Sequence, residues 1–254
     1  MLIYTPTKSM NTPIRNRKGF TLIELLTVIA IIGILAAVLF PGVQGVMRSA
    51  KKNSALNKVR SIGQAYMNWA GGNKAIANGT WASGKTMTTS LSGYAAILAD
   101  GASLDSGELW FLDADPAADG ITTIPKNVIT KTGNTVAINA TFTAALTQGK
   151  SGWDLYTPTS RSLVGNVTAP VAWTRGLTVA GTWPAAGATA TDSVWGTEGG
   201  HILYGDGHVS FCSDTLTTGT NFFTKADGTT SASWKDSAGV PQATTPAAAL
   251  VTQN

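Results

Sequence analysis

The chain carries the stretch Phe20-Thr21-Leu22-Ile23-Glu24-Leu25-Leu26-Thr27-Val28-Ile29-Ala30-Ile31-Ile32-Gly33-Ile34-Leu35-Ala36-Ala37-Val38-Leu39-Phe40. As a helix, this stretch measures about 31 Å, which is enough to cross the hydrocarbon core of a bilayer. Glu24 is its one charged side chain. A carboxylate near mid-span costs about 3 kcal/mol, and less toward an end, so such residues usually have a partner. The sequence therefore predicts a membrane-spanning helix in which Glu24 needs a partner.

The segment before this stretch is basic. Residues 1–19 contain Lys8, Arg15, Arg17 and Lys18 and no acidic residue. Glu24 lies only about 6 Å along the helix from its first residue, so we expect its partner to be a positive charge near that end. A secretory signal or a simple single-pass anchor is the plain alternative. The apolar region of a signal is about 7 to 15 residues long and a small-residue cleavage site follows it, whereas this run is longer, carries an acid and has no clear A-x-A pattern after it.

Residues 17–24, Arg-Lys-Gly-Phe-Thr-Leu-Ile-Glu, resemble the processing site of type IV prepilins and type II secretion pseudopilins. In that family a basic leader ends at Gly and Phe usually follows. The resemblance implies cleavage between Gly19 and Phe20 by a membrane-embedded aspartyl peptidase, and methylation of the new amine of Phe20. It also implies that this ammonium pairs with Glu24 of a neighbouring subunit, so that both charges are satisfied only in a filament.

The same resemblance implies a location and a set of partners. The precursor would be a single-pass protein of the inner membrane with its head in the periplasm, and would later enter a pseudopilus or a cell-surface filament. Its partners would be other pilin-like subunits, prepilin peptidase and an inner membrane assembly platform. Charge alone does not orient the helix, because basic residues also follow it closely. Translation from Met10 would shorten the leader.

Charge is distributed unevenly along the chain. The net charge is +4, but removal of residues 1–19 leaves 14 basic and 14 acidic residues, so a basic nucleic-acid-binding protein is not indicated. Residues 41–74 contain six basic residues and no acid, whereas residues 75–254 contain eight basic and thirteen acidic residues. The basic stem and the acidic head either attract one another between subunits or form ordinary solvated faces, with additional contact to lipid headgroups.

A second helical pattern follows the apolar stretch. Ala55, Val59, Ile62, Tyr66 and Trp69 recur at helical spacing, which predicts an amphipathic stem that ends at residues 71–72 and packs on the chain's own head. By resemblance, Pro41 is the helix-kinking proline of the family. Its missing hydrogen bond predicts a kink or a locally melted turn and not a full stop.

The remaining sequence predicts an α+β, pilin-like fold. We divide the chain into a leader (1–19), a transmembrane or filament-core helix (20–40), an amphipathic stem helix (41–72), a β-rich head (73–237) and a flexible tail (238–254). Short apolar runs between turn residues predict strands at residues 108–112, 135–138, 167–173, 202–204 and 209–212. A short helix is predicted at residues 92–100.

A β-hairpin is predicted at residues 201–212, where Asp206-Gly207 is a strong two-residue turn signal. With such a turn, Tyr204 faces Val209, Ile202 faces Phe211, and His201 faces Cys212. This segment partly resembles the C-terminal Asp-Gly hairpin of long pilin-like proteins of Planctomycetes and Verrucomicrobia. Gly196 occupies the position of that family's histidine, so the role of the histidine does not transfer.

Metal and cofactor sites are weakly indicated. The predicted register places His208 about 13 Å from the pair of His201 and Cys212, too far to share a zinc ion. Asp113, Asp115 and Asp119 form a candidate weak calcium site, because some pseudopilins of the resembled family bind calcium in the head. Their spacing differs from an EF-hand loop, and we expect no metal and no cofactor.

We predict that the chain is not an enzyme. Gly-x-Ser-x-Gly and His-Glu-x-x-His are both missing. The single cysteine, Cys212, excludes the intramolecular disulfide of many type IV pilins and slightly favours a pseudopilin. We therefore predict a filament subunit of a type II secretion pseudopilus or a type IV pilus. A membrane-anchored monomeric adhesion protein is the alternative, with eight tryptophans as a candidate sugar-binding surface.

Overall fold

The computed structural model describes residues 19–71, 80–81, 85–86, 90–121, 123–148, 151–156, 164–178, 181–189, 191–213, 216–217, 220–221, 223–224 and 229–231. The predicted flexible tail and nearly all of the predicted leader lie outside these residues. Contacts divide the chain into two units, residues 1–47 and residues 48–254.

The described elements confirm an α+β fold with a long N-terminal helix. The helices are α1 (Leu22–Ala70), α2 (Leu91–Gly101) and α3 (Ala140–Gln148). The strands are β1 (Thr80–Trp81), β2 (Lys85–Thr86), β3 (Ile129–Thr132), β4 (Thr135–Ile138), β5 (Trp153–Leu155), β6 (Pro170–Thr174), β7 (Gly200–Tyr204), β8 (Val209–Cys212), β9 (Leu216–Thr217), β10 (Thr220–Asn221), β11 (Phe223–Thr224) and β12 (Thr230–Ser231). Short 3-10 helices occur at Gly107–Trp110, Ala118–Gly120 and Gly196–Glu198.

The largest described sheet has four antiparallel strands in the order β5-β6-β7-β8. Every residue of β6 and β7 is buried, as expected for central strands covered on both faces. Two-stranded antiparallel pairs form from β1 with β2, β3 with β4, β9 with β10, and β11 with β12.

The second half of α1 packs on the head, as the apolar stripe predicts. Ala55, Val59, Ile62 and Tyr66 are all buried and belong to the main hydrophobic cluster. The helix lies close to β7, because a Cβ added at Gly63 would stand 2.7 Å from Leu203 Cδ1. Gly63 therefore permits the close contact between helix and sheet.

Helix α2 crosses the same core. All its residues from Leu91 to Ala99 are buried. Ser90 caps the helix, since its hydroxyl accepts a hydrogen bond from Gly93 N at 3.3 Å. The helix predicted at residues 92–100 is thus confirmed, and it is a core element.

Most predicted elements of the head are present, with one error of type. Strands are confirmed at residues 135–138, 202–204 and 209–212, and the strand predicted at 167–173 begins later, at Pro170. The strand predicted at 108–112 is wrong, because a 3-10 helix occupies Gly107–Trp110. The carbonyls of Leu109 and Trp110 accept hydrogen bonds from the Trp153 indole, the Ser151 hydroxyl and Gly152 N, so they do not join a strand ladder.

The predicted hairpin is present, but its register is shifted by one residue. Leu203 pairs with Val209, and His201 pairs with Phe211. Tyr204 N donates to His208 O at 3.0 Å and Gly207 has φ +90°, so the connection is a three-residue loop. The predicted pair of His201 and Cys212 is therefore wrong, and these two side chains project from opposite faces of the sheet.

Candidate functional site

The bond between Gly19 and Phe20 lies directly before α1. Both residues are exposed and neither is helical. Phe20 exposes 78% of its surface, and a Cβ added at Gly19 would have no neighbour within 4 Å. A peptidase could therefore reach this bond without unfolding any described element of the chain.

Thr21 and Glu24 form a reciprocal cap at the start of α1. The Glu24 carboxylate accepts hydrogen bonds from Thr21 N at 2.9 Å and from the Thr21 hydroxyl at 2.7 Å. Glu24 N donates to the Thr21 hydroxyl at 3.3 Å. This arrangement is a capping box, in which two otherwise unpaired backbone amides are satisfied.

The capping box gives Glu24 a partner that the sequence analysis missed. The signal was present, because Thr-x-x-Glu before an apolar run marks a helix start. A hydroxyl and an amide do not neutralise the carboxylate, however. The predicted ion pair between Glu24 and the Phe20 amine of another subunit stays a prediction.

The first half of α1 has an exposed apolar surface. Every residue of α1 up to Met47 is exposed, and its 18-residue window of mean hydropathy 2.8 contains no buried residue. By length and composition, α1 is the one helix among the described residues that could span a membrane. An apolar surface of this size is not stable in water, so the segment fits a membrane anchor or a surface covered by other chains.

Pro41 lies inside α1. Residues on both sides of it are helical, so the locally melted turn that the sequence allowed is wrong. The helix accommodates one missing hydrogen bond at this position. The kink at Pro41 stays a prediction.

Basic residues of the stem bind carboxylates of the same chain. Arg48 Nη2 lies 2.6 Å from one Glu198 oxygen, and Lys52 Nζ lies 3.0 Å from the other. Lys58 Nζ lies 3.7 Å from Asp113 and donates to Phe111 O at 2.8 Å. Three positive charges of the stem are therefore paired with carboxylates of the same subunit.

The three acidic residues of the candidate calcium site have separate environments. Asp113 and Asp119 are exposed, whereas Asp115 is 1% exposed and is paired with the buried Arg175. Burial raises the pKa of Asp115, and the hydrogen bond and charge of Arg175 oppose that shift. The described residues contain no group of three His, Cys, Asp or Glu side chains suited to a metal ion.

The two histidines of the head, His201 and His208, also lie in different environments. His201 is buried beside Phe211, with ring centroids 5.0 Å apart, and its burial together with the charges of Lys52 and Arg60 lowers its pKa to about 4. His208 is exposed in the hairpin loop, where its Nδ1 lies 2.6 Å from Asp206 Oδ1. Burial raises the pKa of Cys212 to about 12.

Sequence reasoning missed Arg175 altogether. Its side chain is fully buried, and it donates hydrogen bonds to Asp115 and to the carbonyls of Gly187, Thr189 and Asp192. Because Arg175 and Asp115 are 60 residues apart, no local pattern indicates the pair.

Comparisons with known proteins find a family motif in the N-terminal segment and several relatives. Residues 14–40 match the family described as prokaryotic N-terminal methylation motif. The chain is 35% identical over 96 residues to the type IV major fimbrial protein FimA of Dichelobacter nodosus, a match that covers 32% of this chain and 60% of FimA. It is 39% identical over 71 residues to a fimbrial protein of Neisseria meningitidis, covering 25% of this chain and 42% of that protein.

A third relative is matched over a shorter segment. The chain is 67% identical over 36 residues to the type IV wide pilus major component PilA4 of Thermus thermophilus, covering 14% of this chain and 28% of PilA4. The chain thus spans between 28% and 60% of the length of these curated relatives. No solved structure matches the chain significantly. The methylation motif at the start of α1 and the similarity to type IV pilins support a relationship between the chain and the type IV prepilins.

Proposed function

We propose that the chain is a structural subunit of a type IV pilus-like filament, assembled through the first half of α1. The observation that carries this proposal is the fully exposed apolar surface of α1 up to Met47, with Glu24 near its start. Such a surface needs a cover, which lipid supplies to the precursor and other subunits supply to the filament. The named relatives are fimbrial and pilus proteins, which supports the same function.

Processing would create the charge that assembly needs. A prepilin peptidase would cut between Gly19 and Phe20 and methylate Phe20, which leaves an ammonium next to the start of α1. The Glu24 carboxylate of a neighbouring subunit would then bind this ammonium. Since each charge is unfavourable in an apolar environment unless it is paired, the pair would couple assembly to a fixed axial register.

The proposed route begins in the inner membrane. The precursor would cross it once through α1 with the head in the periplasm, and an assembly platform would transfer processed subunits to the filament. The head would have a structural role and no catalytic one.

The filament could be a pilus or a type II secretion pseudopilus. The lone Cys212 slightly favours a pseudopilin, whereas the relatives are fimbrial and pilus proteins. We place more weight on the relatives and propose a pilus. A deletion strain that loses surface fibres and keeps protein secretion supports the pilus, and the opposite result supports the pseudopilus.

Two experiments test the proposal. Mass spectrometry of the protein from its native host should find a mature chain that begins with methylated Phe20. Glu24→Ala should be processed almost normally and should assemble poorly, whereas the control Glu108→Ala, at an exposed position of the head, should assemble like the wild type. Unchanged surface structures in Glu24→Ala would favour the alternative of a monomeric, membrane-anchored adhesion protein.

A further inference from the structure

One cavity of the second unit is not used by the proposed assembly mechanism. It has a volume of about 300 Å³ and lies between the stem part of α1 and the β7–β8 hairpin. Its polar lining includes Ser49, Lys52, Asn53 and His201, and its apolar lining includes Leu56 and Val209. This volume is at the lower end of the range for small-ligand sites, which are typically apolar with a few placed polar groups. We call it the stem cavity.

The charges at the stem cavity leave an excess of positive charge. Lys52 and Arg48 share a single carboxylate, that of Glu198. Two cations against one anion leave a net positive charge beside the cavity. After burial, which is the largest cause, the charges of Lys52 and Arg60 also lower the pKa of His201. An anionic group is therefore favoured over a neutral or cationic one.

His201 is a second feature of the stem cavity. The residue is 3% exposed, and its Nδ1 is among the described buried side-chain atoms that have no hydrogen-bond partner. A buried polar atom without a partner is unfavourable, and a bound water or ion is one of the explanations for it in native proteins. His201 also lines the stem cavity, so a ligand there would lie beside its ring.

The apolar part of the lining limits the class of anion. Leu56 and Val209 offer no hydrogen bonds, and the Phe211 ring, with Lys52 Nζ 4.2 Å from its centroid, closes a further side. A fully hydrated anion such as inorganic phosphate would leave these walls unused. A carboxylate attached to a short aliphatic group would bind the cationic side and cover the apolar side.

We propose that the stem cavity binds a carboxylate attached to a short aliphatic group. The carboxylate accepts from Lys52 and from the neighbouring polar side chains, and the aliphatic group contacts Leu56 and Val209. Two sources have this chemistry: a free small organic acid, and a Glu or Asp side chain of a second copy of the chain. The second source rests on the proposed filament, whereas binding itself does not.

The test uses the full chain as a detergent-solubilised monomer, with acetate, butyrate and inorganic phosphate as probes at equal ionic strength. Chemical-shift changes at the His201 ring and at the Ser49 and Asn53 amides should saturate. Butyrate should bind about tenfold more tightly than acetate, because its additional methylenes contact the apolar wall. Shifts that do not saturate, or tighter binding of phosphate than of butyrate, would overturn the proposal.

Variants assign the binding to the cavity. Lys52→Gln should weaken butyrate binding by about tenfold, because it removes a charge-assisted hydrogen bond. The matched stem variant Lys58→Gln, whose lysine pairs with Asp113, should bind like the wild type. Val209→Thr keeps the side-chain shape and should reduce the preference of butyrate over acetate. Equal binding by Lys52→Gln and the wild type contradicts the proposed site.

A last measurement separates the two sources. If a second copy supplies the carboxylate, butyrate should bind to the monomer and not to purified filaments, where the cavity is already filled. If a free acid is the ligand, monomer and filament should bind butyrate alike. Failure of the filament proposal would leave the result with the monomer unchanged.

Discussion

The Arg175 guanidinium and the Asp115 carboxylate form an ion pair in which both side chains are fully buried, with Nη2 2.5 Å from Oδ1. The same guanidinium donates to the carbonyl of Gly187 at 3.0 Å and to that of Asp192 at 2.8 Å. One side chain therefore links the turn that contains Asp115 to Gly187 and Asp192. Its hydrogen bonds compensate for the removal of the charge from water.

Arg175→Met should lower the free energy of unfolding by about 3–5 kcal/mol, because it leaves the buried Asp115 carboxylate and several carbonyls without a donor. Urea unfolding of the detergent-solubilised chain measures this loss. Combining Arg175→Met with Asp115→Leu should cost less than the sum of the two single changes, since the pair is then removed together.

Lys131 provides the control for this prediction. Its Nζ lies 3.9 Å from Asp100 and its side chain is 63% exposed. Lys131→Met should change the free energy of unfolding by no more than about 0.5 kcal/mol. An Arg175→Met variant as stable as Lys131→Met would show that the buried pair has no structural role.

Acid should weaken the link between the stem and Glu198. The hydrogen bond from Lys52 is the largest cause that lowers the pKa of Glu198 below 4.5, and the charges of Lys52 and Arg48 add to it. A lowered pKa in the folded state means that the stabilisation is present above about pH 4.5 and is lost as pH falls through the lower folded value. The wild type should therefore melt at a higher temperature than Glu198→Gln at neutral pH, and the two melting temperatures should converge in acid.

Melting curves recorded between about pH 7 and about pH 3 check this expectation. Glu108→Gln is the control, because Glu108 is an exposed carboxylate of the head, and it should follow the wild type throughout. A difference between wild type and Glu198→Gln that persists unchanged at low pH would contradict the ionic explanation.

The Cys212 thiol should react slowly in the folded protein. Burial raises its pKa to about 12, and only the thiolate is an effective nucleophile. Alkylation by iodoacetamide near pH 8 should be about a thousandfold slower in the folded chain than in urea, where the pKa returns to about 8.5.

Moving the cysteine to another position of β8 tests whether burial slows the reaction. Ser210 is half-buried on β8, so the variant Cys212→Ser with Ser210→Cys should be alkylated much faster than the wild type. Equal rates for the two positions would mean that burial does not control the reaction.

Gly199 should tolerate no side chain. Its φ is +105°, and an added Cβ would stand 1.8 Å from Cys212 O. Gly199→Ala should therefore lower the free energy of unfolding by several kcal/mol or prevent folding, since backbone atoms of β8 must move.

Gly165 provides a control that has the backbone strain of Gly199 without its steric overlap. Its φ is +81°, but an added Cβ would have no neighbour within 4 Å. Gly165→Ala should cost only about 1–2 kcal/mol, the strain of the left-handed conformation. Equal losses in the two variants, measured by urea unfolding, would contradict the overlap at Gly199.

Local patterns in the sequence predicted the buried face of α1 and the β7–β8 hairpin, because both depend on residues that are close together in the chain. The apolar stripe from Ala55 to Tyr66 indicated the buried face of α1, and Asp206-Gly207 indicated the β7–β8 hairpin. The register of that hairpin was predicted wrongly because the loop has three residues, in which Asp206 Oδ1 accepts from His208 N at 3.0 Å. The strand predicted at 108–112 was wrong because the carbonyls of Leu109 and Trp110 accept hydrogen bonds from residues 151–153 and do not pair with a neighbouring strand.

The sequence by itself determined that an apolar helix with one acid lies within residues 20–40, where α1 begins at Leu22, and that a basic segment ending at Gly19 precedes it. Those features depend on composition and on the helical repeat, both of which are local. Only the tertiary structure decided that Arg175 meets Asp115, 60 residues away, and that Lys52 meets Glu198, 146 residues away. Such pairs depend on how the whole head packs on the stem, because charges become neighbours only after the core between them has formed.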